Sequence, residues 1–229
     1  MTCGCAITPA PSSAPTFGAW GVAAQWQGGG ESRWSESKKL ASLDPRMRNK
    51  VTALMARMRS LGHKPMLFYA WRSLETQAGL QAGGTSWVNF SFHNALNAQG
   101  EPAALGADIV DADVWWGAAG PAEKARADRF FADLGREAKK LGLYWGGDWR
   151  NPDSAHVQLF PNSALSSVKA ASEAAMQRLQ STAGQAYDAA RSTENRLARA
   201  GFHIPPWWPL PVAALATMGV LLAVTRRRK

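Results

Sequence analysis

Two histidines and an aspartate that lie far apart in the chain place the strongest constraint on how it folds. His93 and Asp108 fall in one stretch, and His156 closes a later quartet that begins at Asp153 (Asp-Ser-Ala-His). Two imidazoles and one carboxylate form a ligand set for zinc that leaves one of four coordination positions open, as in catalytic zinc sites. The chain therefore has to fold so that these three side chains meet around one ion.

Composition divides the chain into one domain with appendages, because a domain takes roughly 100 to 200 residues and the chain has 229. Residues 1–33 are rich in Ala, Gly, Pro and Ser without an apolar period, which predicts a disordered segment. Cys3 and Cys5 fall there, too close together for an easy disulfide and without other metal ligands nearby. The segment lacks the basic and apolar regions of a signal peptide, so we expect a protein made in the cytoplasm.

Helix and strand signals alternate irregularly over residues 34–161. An N-cap and first-turn pair, Asp44-Pro45, precedes apolar residues at helical spacing, and residues 121–140 show the same spacing. A shorter helix is predicted after Ser73. Strands are predicted at residues 66–70, around 108–110, and at 143–145 and 156–159. Since these elements do not repeat as the units of a parallel sheet, they predict a compact α+β domain with a small antiparallel sheet flanked by helices.

The C-terminal part of the chain reads as a spacer followed by a membrane segment. Residues 162–206 carry a thin, mostly alanine stripe at near-helical spacing, which predicts a solvated helical spacer or a weakly self-associating stalk. Residues 207–225 have no charged side chain over a length close to the ~20 residues that cross a bilayer core. The pair Trp207-Trp208 and the basic tail 226–229 flank this segment, so we expect membrane association through residues 207–229. Spanning, shallow insertion and a buried core helix are the alternatives.

The net charge of +9 is concentrated at the C-terminus. Residues 1–162 hold 17 Lys and Arg against 14 Asp and Glu, whereas residues 163–229 hold 9 against 3. A basic tail beside an apolar segment suits anionic lipids or wall polymers. We therefore expect no nucleic-acid partner.

Four motifs follow one another in the order found in the zinc peptidases of peptidoglycan. They are Arg72 with Gln77 five residues later, Ser91-Phe-His93, Gly106-Ala-Asp108 and Asp153-Ser-Ala-His156. Over most of residues 34–161 the chain resembles this family, which includes VanY-type D-alanyl-D-alanine carboxypeptidases and phage L-alanyl-D-glutamate endopeptidases. The stretches 39–46 and 145–149 are most similar to the phage endopeptidase branch.

One departure from the family pattern lies between the first two ligands. Fourteen residues separate His93 from Asp108, where the family commonly has six. We expect the extra residues 97–102 to loop out and to leave the ligand geometry intact.

The resemblance implies that His93, Asp108 and His156 bind one zinc ion (Zn2+) per chain and that Asp153 is the general base. Zinc lowers the pKa of its bound water to about 7, and a neighbouring carboxylate can take the water proton and return it to the leaving amine. Arg72 is then expected to stabilise the oxyanion or to fix a substrate carboxylate.

Other acidic residues compete for two of these roles. Asp111 and Asp113 lie near Asp108 and could replace it as a ligand, although Asp111 would face the other side of the strand. Asp148 competes with Asp153 as the general base.

The remaining candidate residues have a structural alternative as well as a functional one. Arg72 could form a structural ion pair, and Ser91 and Gln77 are expected to support the site by hydrogen bonds rather than to react. Tryptophans could line a groove for the sugar-peptide polymer or pack in the core. The tryptophans concerned are Trp145 and Trp149, together with Trp87, Trp115 and Trp116.

These features predict a zinc metallopeptidase that cuts the stem peptide of peptidoglycan. The leading hypothesis is a phage-type L-alanyl-D-glutamate endopeptidase (endolysin) that lyses the host cell wall, held inside the cell until a holin-like system releases it. A membrane-anchored D,D-carboxypeptidase that trims D-alanine uses the same metal chemistry. A non-catalytic protein that binds the wall or disrupts a membrane is the alternative from another class.

Overall fold

The computed structural model describes Trp26 and residues 30–199. The predicted membrane segment 207–225, the basic tail 226–229 and nearly all of the predicted disordered segment lie outside the described residues. Of the helices that the structure describes, none is both long and apolar enough to cross a bilayer. The chain divides into two compact units, Met1–Glu173 and Ala174–Lys229, and the first contains the strands that the structure describes and the candidate site.

Helices and strands alternate over the described range in the irregular order that the sequence predicts. In chain order they are α1 (Glu36–Ala41), α2 (Pro45–Ser60), β1 (Pro65–Tyr69), α3 (Leu74–Ala82), β2 (Gly106–Asp111), α4 (Pro121–Lys140), β3 (Tyr144–Trp145), β4 (His156–Gln158) and α5 (Leu165–Arg199).

The helices α2 and α3 begin where capping side chains satisfy their free N–H groups. The Asp44 side chain accepts a hydrogen bond from the backbone N–H of Arg46, and Pro45 fills the first turn of α2. Ser73 accepts in the same way from Thr76 N–H and starts α3. Because such caps depend on a few neighbouring side chains, the helix starts could be predicted from sequence alone.

The four strands form one antiparallel sheet in the order β1-β2-β4-β3, which confirms the predicted α+β class with a small antiparallel sheet. Asp108 on the central strand β2 lies opposite Tyr69 of β1 and opposite His156 of β4. Residues that face each other across antiparallel strands point to the same side of the sheet. The register therefore places Asp108 and His156 side by side.

The helices α2 and α4 pack together, α2 against β1 and α4 against β2 and β3. Side chains alternate along a strand, so Ala107 and Ile109 turn toward these helices while Gly106 and Asp108 face the opposite side. The resulting core consists of side chains that are at most 2% exposed, among them Met47, Val51, Leu54, Met55, Met58, Leu67, Ile109, Phe130 and Leu134. One face of the sheet carries this core, which leaves the other face for the polar site.

Ordered structure begins before the predicted boundary at residue 34. Glu31–Arg33 form a short 3-10 helix, and Glu31 is fully buried. The Glu31 carboxylate accepts hydrogen bonds from Ser73 N–H (3.0 Å) and from the Thr76 hydroxyl (2.6 Å). The predicted disorder is therefore wrong for these residues, because one acidic side chain within a low-complexity stretch caps a distant helix.

The predicted spacer begins with residues that belong to the first unit. Leu165 and Val168 of α5 pack against a cluster formed by Phe92, Ala95 and Leu105. The Ser172 hydroxyl accepts a hydrogen bond from Leu96 N–H at 3.1 Å. The first turns of α5 thus cover the segment that carries His93, although the composition of residues 162–206 suggests a solvated linker.

The extra residues between His93 and Asp108 form a closed turn. Asn97 N–H donates to the Glu101 carbonyl (2.9 Å), and the Asn97 side chain accepts from the backbone N–H groups of Gln99 and Glu101. A bridge between Leu96 and Pro102 closes the base of the turn. The insertion therefore satisfies its own backbone groups and loops out of the site, as expected.

Candidate metal centre

The three predicted ligands converge on one point at the sheet face opposite the helices. His93 Nε2, His156 Nδ1 and Asp108 Oδ1 form a nearly equilateral triangle with sides of 3.0 to 3.1 Å. All three residues are buried, with exposures of 1%, 4% and 6%. Among the described residues, these side chains make up the group of His, Cys, Asp and Glu that could hold a metal ion.

The orientation of His93 is fixed by the strand end beside it. Its Nδ1 donates a hydrogen bond to the Ala70 carbonyl at 2.5 Å, so Nε2 carries a free lone pair toward the triangle. Ser91 caps the short 3-10 helix Phe92–Asn94 and accepts from His93 N–H, while Asn94 closes a capping box onto Ser91 N–H. The local backbone thus holds the imidazole before any ion binds.

Gln158 fixes His156 in a similar way, a role that was not predicted from the sequence. The His156 Nε2 donates to Gln158 Oε1 at 2.9 Å, which leaves Nδ1 free to face the triangle. The Gln158 amide donates to the Phe160 carbonyl (2.7 Å) and to Asn162 Oδ1 (2.8 Å), so its oxygen has to point at the histidine. A residue two positions along a strand shares the face of its neighbour, and this spacing is the only pattern that could have suggested Gln158.

Arg72 holds the carboxylate of Asp108. Its guanidinium forms a short ion pair with Asp108 Oδ2, the oxygen that does not face the histidines, and stacks 4.4 Å from the centre of the Tyr69 ring. The Arg72 backbone N–H donates to the His93 carbonyl at 3.0 Å, which ties both residues to the same turn. The ion pair that the sequence left open as an alternative is therefore present, and the Arg72 side chain also lines the cleft.

Gln77 and Ser91 lie behind this arginine. Gln77 is fully buried, and its Oε1 lies 3.4 Å from both Arg72 Nη1 and Ser91 Oγ. Its amide nitrogen donates to Ser86 Oγ and to the Val88 carbonyl, both at 2.7 Å. Gln77 thus connects the arginine to the loop that follows α3, which is a supporting role of the kind that the sequence predicts.

Burial and neighbouring charges fix the protonation of the ligands. Burial, followed by the positive charge of Arg72, lowers the pKa of His93 to about 4. Burial alone would raise the pKa of Asp108, but its close neighbours His93, Arg72 and His156 hold that pKa well below its usual range. Near neutral pH the site therefore presents a neutral imidazole at His93 and an ionised carboxylate at Asp108.

This protonation state makes the donor set fit a cation. Each histidine uses one ring nitrogen to donate a hydrogen bond away from the triangle. The atoms that meet are therefore three hydrogen-bond acceptors with lone pairs. Three converging acceptors repel one another unless a cation lies between them. A tetrahedral zinc ion with bonds of about 2.0 to 2.1 Å separates its ligand atoms by roughly 3.3 Å. The measured separations are close to this value.

Asp153 lies on a tight turn that packs onto Gly146. Asp153 N–H donates to the Gly146 carbonyl, and His156 N–H donates to the Asp153 carbonyl. A Cβ at residue 146 would lie 2.5 Å from the Asp153 carbonyl oxygen and 3.1 Å from His156 Cβ, so glycine is required for this close approach. Trp145 donates from its indole N–H to the Ser154 carbonyl at 2.8 Å and braces the same turn.

The Asp153 carboxyl lines the cleft beside the ligands. Although the residue is partly open to solvent, the surrounding protein desolvates its carboxyl and raises the pKa of Asp153, and the negative charge of Asp108 raises it further. Arg72 and His156 act in the opposite direction. A carboxyl with a raised pKa accepts and returns a proton more readily near neutrality.

The competing acidic residues lie elsewhere. Asp148 forms an exposed ion pair with Lys139 at 3.1 Å. Asp111 is buried and accepts from the backbone N–H groups of Lys64 and Asp113, which shapes the turn after β2. The structure therefore groups Asp108 with the two histidines and puts Asp153, not Asp148, on the wall of the cleft.

An open cleft of about 930 Å3 leads to the metal centre. Trp149 lines it with its ring centre 5.2 Å from that of His156, and Trp87 and Trp116 line it farther out. Trp145, in contrast, does not line the cleft. A Cβ on Gly135 of α4 would lie 2.4 Å from its ring, so the indole packs flat against that helix. Trp145 supports the Asp153 turn from behind rather than lining the cleft.

Residues 85–159 match the family model described as D-alanyl-D-alanine carboxypeptidase, and this segment contains the three predicted ligands and Asp153. This segment is therefore similar to the zinc peptidases of peptidoglycan, the family that the four motifs indicate. The solved L-Ala D-Glu endopeptidase ChiX of Serratia marcescens is similar to this chain at 18% identity, over 58% of this chain and 89% of its own, with a TM-score of 0.39. None of the curated proteins matches the chain. The match supports a peptidase that acts on peptidoglycan.

Proposed function

We propose that the chain is a zinc-dependent peptidase that hydrolyses the stem peptide of peptidoglycan. The observation that carries this proposal is the triangle of His93 Nε2, His156 Nδ1 and Asp108 Oδ1, with sides of 3.0 to 3.1 Å, at the base of an open cleft. Bound zinc supplies a Lewis acid and a water whose pKa falls to about 7.

Asp153 is the general base in this proposal. Its carboxylate takes a proton from the attacking water as the new C–O bond forms, and it delivers that proton to the amine nitrogen as the C–N bond breaks. The turn on Gly146 fixes the Asp153 backbone relative to His156. The proton is therefore carried by a group whose position the fold sets in advance.

Arg72 has two tasks in the proposed reaction. Its ion pair with Asp108 Oδ2 aims the opposite carboxylate oxygen at the histidines. Its side chain also lines the cleft, so the guanidinium supplies positive charge where the carbonyl oxygen of the substrate becomes negative.

For the bond cut, we propose the L-alanyl-D-glutamate bond. Support comes from the likeness of residues 39–46 and 145–149 to the phage endopeptidases. Trp149 from the second stretch lines the cleft, so this likeness includes a residue that can contact the substrate. A carboxypeptidase also needs a cation that is free to bind the terminal carboxylate of its substrate. Among the described residues that line the cleft, the cations are Arg72, which is paired with Asp108, and Arg150, so a carboxypeptidase would depend on Arg150 whereas the endopeptidase does not need it.

The second candidate is a D,D-carboxypeptidase, which the description of the matching family model favours. In that case Arg150, which lines the cleft, would bind the terminal carboxylate. Arg150→Ala would then raise KM for a peptide ending in D-alanyl-D-alanine by roughly 10-fold or more. An endopeptidase that cuts at L-alanine would lose little.

Product analysis on purified wall separates the two candidates. Cleavage of the L-alanyl-D-glutamate bond leaves L-alanine on the muramic acid and exposes new amino groups on D-glutamate, whereas carboxypeptidase action releases D-alanine. The zinc-loaded protein and Asp153→Asn are compared on the same wall preparation. Release of either product by wild type but not by the variant supports the peptidase, and wall lysis that survives Asp153→Asn favours a non-catalytic protein.

For the cellular role, we propose host-cell lysis by an endolysin made in the cytoplasm, released by a holin-like system and attached to a membrane through residues 207–229. The support is the apolar composition of residues 207–225 and the basic tail 226–229. Flotation with lipid vesicles, with the full chain and with a chain ending at residue 206, tests the attachment. Equal flotation of both chains would contradict it.

A further inference from the structure

The turn after β2 presents two tryptophans to solvent beside the cleft. Trp115 and Trp116 are each 46% exposed. Phe68 of β1 packs edge-on against both rings, with ring centres 5.8 and 5.0 Å away. We call Phe68, Trp115 and Trp116 the aromatic surface. It lies outside the set of residues to which the peptidase mechanism gives a task.

The backbone of this turn is held in a conformation that a tryptophan rarely adopts. Trp115 has a φ of 51°, in the left-handed region. Its N–H donates to the Asp111 carbonyl at 2.8 Å. Gly117 follows with a φ of 74°, and a Cβ there would lie 2.6 Å from the Cα of Lys124. A bulky residue kept in a strained turn with its ring half exposed indicates a functional requirement for that ring.

Ring contacts connect the aromatic surface to the metal centre. The Phe68 ring lies 4.8 Å from the Tyr69 ring, edge to face. The Arg72 guanidinium in turn stacks on the Tyr69 ring, 4.4 Å from its centre, and pairs with Asp108. Phe68, Tyr69 and Trp116 all line the cleft. A polymer bound at the metal centre would therefore continue onto the aromatic surface.

The charges around the aromatic surface favour a neutral partner. Lys64 and Arg126 both pair with Asp113, at 2.9 and 3.4 Å, so the cations beside the turn are already partnered by a carboxylate. An anionic membrane surface is bound through free Lys and Arg side chains. The flat C–H face of a sugar ring instead packs on an indole without needing charge, and rigid aromatic rings offer large contact area at low entropic cost.

We propose that Phe68, Trp115 and Trp116 form a saccharide-contact surface that binds the glycan strand next to the stem peptide under attack. This proposal rests on the proposed function, because the glycan is the part of the same substrate that lies beyond the peptide. It assigns the chain a preference for glycan-linked peptide over free peptide.

The test compares two substrates: purified wall, in which the stem peptide is attached to glycan, and the same stem peptide without sugar. In the variant Trp115→Ala/Trp116→Ala, we expect the ratio of kcat/KM on wall to kcat/KM on free peptide to fall roughly 10-fold, the loss typical of removing aromatic contacts from an interface. Tyr144→Ala is the matched control, because Tyr144 is 48% exposed and lies on β3, and its ratio should stay at the wild-type value.

A second variant separates loss of the ring from loss of the fold. Trp115→Gly removes the ring and suits the left-handed backbone, so the melting temperature and the zinc content should stay near wild type while the ratio falls. An equal loss on both substrates, or an unchanged ratio in both variants, overturns the proposal.

Direct binding keeps this test independent of the proposed function. An N-acetylglucosamine oligomer is titrated into the full chain while tryptophan fluorescence is recorded, and a response that Trp115→Gly abolishes supports the surface even if wild type cleaves neither substrate. Failure of cleavage alone then counts against the proposed function only. Binding of phosphatidylglycerol vesicles that is lost in Trp115→Gly, without any response to the oligomer, would assign the surface to a membrane and overturn the proposal.

Discussion

Gln158 and His156 lie two residues apart on β4, and the Gln158 side-chain oxygen accepts a hydrogen bond from His156 Nε2 at 2.9 Å. The amide of Gln158 is itself held by the Phe160 carbonyl and Asn162. The ring of His156 therefore has one tautomer and one direction imposed on it, with Nδ1 toward the metal centre. Outer hydrogen bonds of this kind commonly contribute 10- to 100-fold to metal affinity.

Replacing Gln158 tests this relationship. Gln158→Leu should weaken zinc binding by about 10- to 100-fold, because the leucine cannot accept from His156 and the ring loses its preferred tautomer. Competition with a chromogenic chelator measures the affinity. Gln158→Glu keeps an acceptor at the same place and should remain within a few-fold of wild type, whereas equal losses in both variants would show that zinc affinity does not depend on the acceptor facing His156.

Asp153→Asn should lower kcat by roughly 100- to 10,000-fold with zinc content unchanged, because the amide cannot take the water proton. Steady-state kinetics on purified wall and metal analysis of the same sample measure the two quantities. Asp148→Asn is the matched control, since Asp148 is exposed and paired with Lys139, and it should keep near wild-type activity. If Asp148→Asn were the inactive variant, the two acidic residues would have to exchange roles.

Gly106 is a second position where the metal centre depends on a missing side chain. A Cβ there would lie 2.9 Å from His156 Cε1 and 3.2 Å from Phe92 Cβ. Gly106→Ala should therefore displace the imidazole and lower zinc affinity. Chelator competition checks this, and Gly79→Ala in α3 is the control, because nothing lies within 4 Å of a Cβ at that position.

The metal-free protein should lose stability as the pH falls from about 7 to about 5. The pKa of His93 is about 4 in the folded protein and near 6.5 in an unfolded chain. Between these values the unfolded chain binds a proton that the folded chain does not, so the free energy of unfolding falls with decreasing pH. The expected loss from this residue is on the order of 2 kcal/mol.

Urea unfolding in the presence of a chelator measures this effect at both pH values. His93→Asn removes the titrating ring and should show a flatter pH dependence, whatever its absolute stability. Asp153 titrates in both proteins and cancels from the comparison. Parallel pH curves for the two proteins would contradict the assignment of the effect to His93.

Val168→Asp tests whether the start of α5 belongs to the domain. The new carboxylate would meet the cluster of Phe92, Ala95 and Leu105, and burying an unpaired charge costs about 2 kcal/mol or more. Thermal unfolding should show a clear decrease in melting temperature. Lys169→Asp changes an exposed neighbour and should have little effect, so similar losses in both variants would argue against packing of Val168 on this cluster.

The sequence was sufficient for features that depend on neighbouring residues. Capping pairs and apolar spacing predicted α2, α3 and α4, because helix starts and amphipathic faces are set locally. The order of the four motifs predicted which side chains meet. Only the register of β2 against β4, which places Asp108 opposite His156, gives these motifs a common face.

Features that depend on distant contacts were missed or misjudged. Glu31 belongs to a low-complexity stretch, and its role appears only when Ser73 and Thr76 are brought to it. For Trp145 the sequence left a groove and core packing as alternatives, and the ring lies against Gly135 of α4. Composition cannot distinguish an indole that braces a turn from one that lines a cleft, since both need one polar partner and one apolar face.

Arg72 has a further effect on how an ion would be bound. Its guanidinium occupies Asp108 Oδ2, so this carboxylate can offer a single oxygen and not a chelating pair. Two imidazole nitrogens and one oxygen then leave a vacancy on a four-coordinate ion. An arginine that never touches the ion would in this way decide that there is room for the scissile carbonyl beside it.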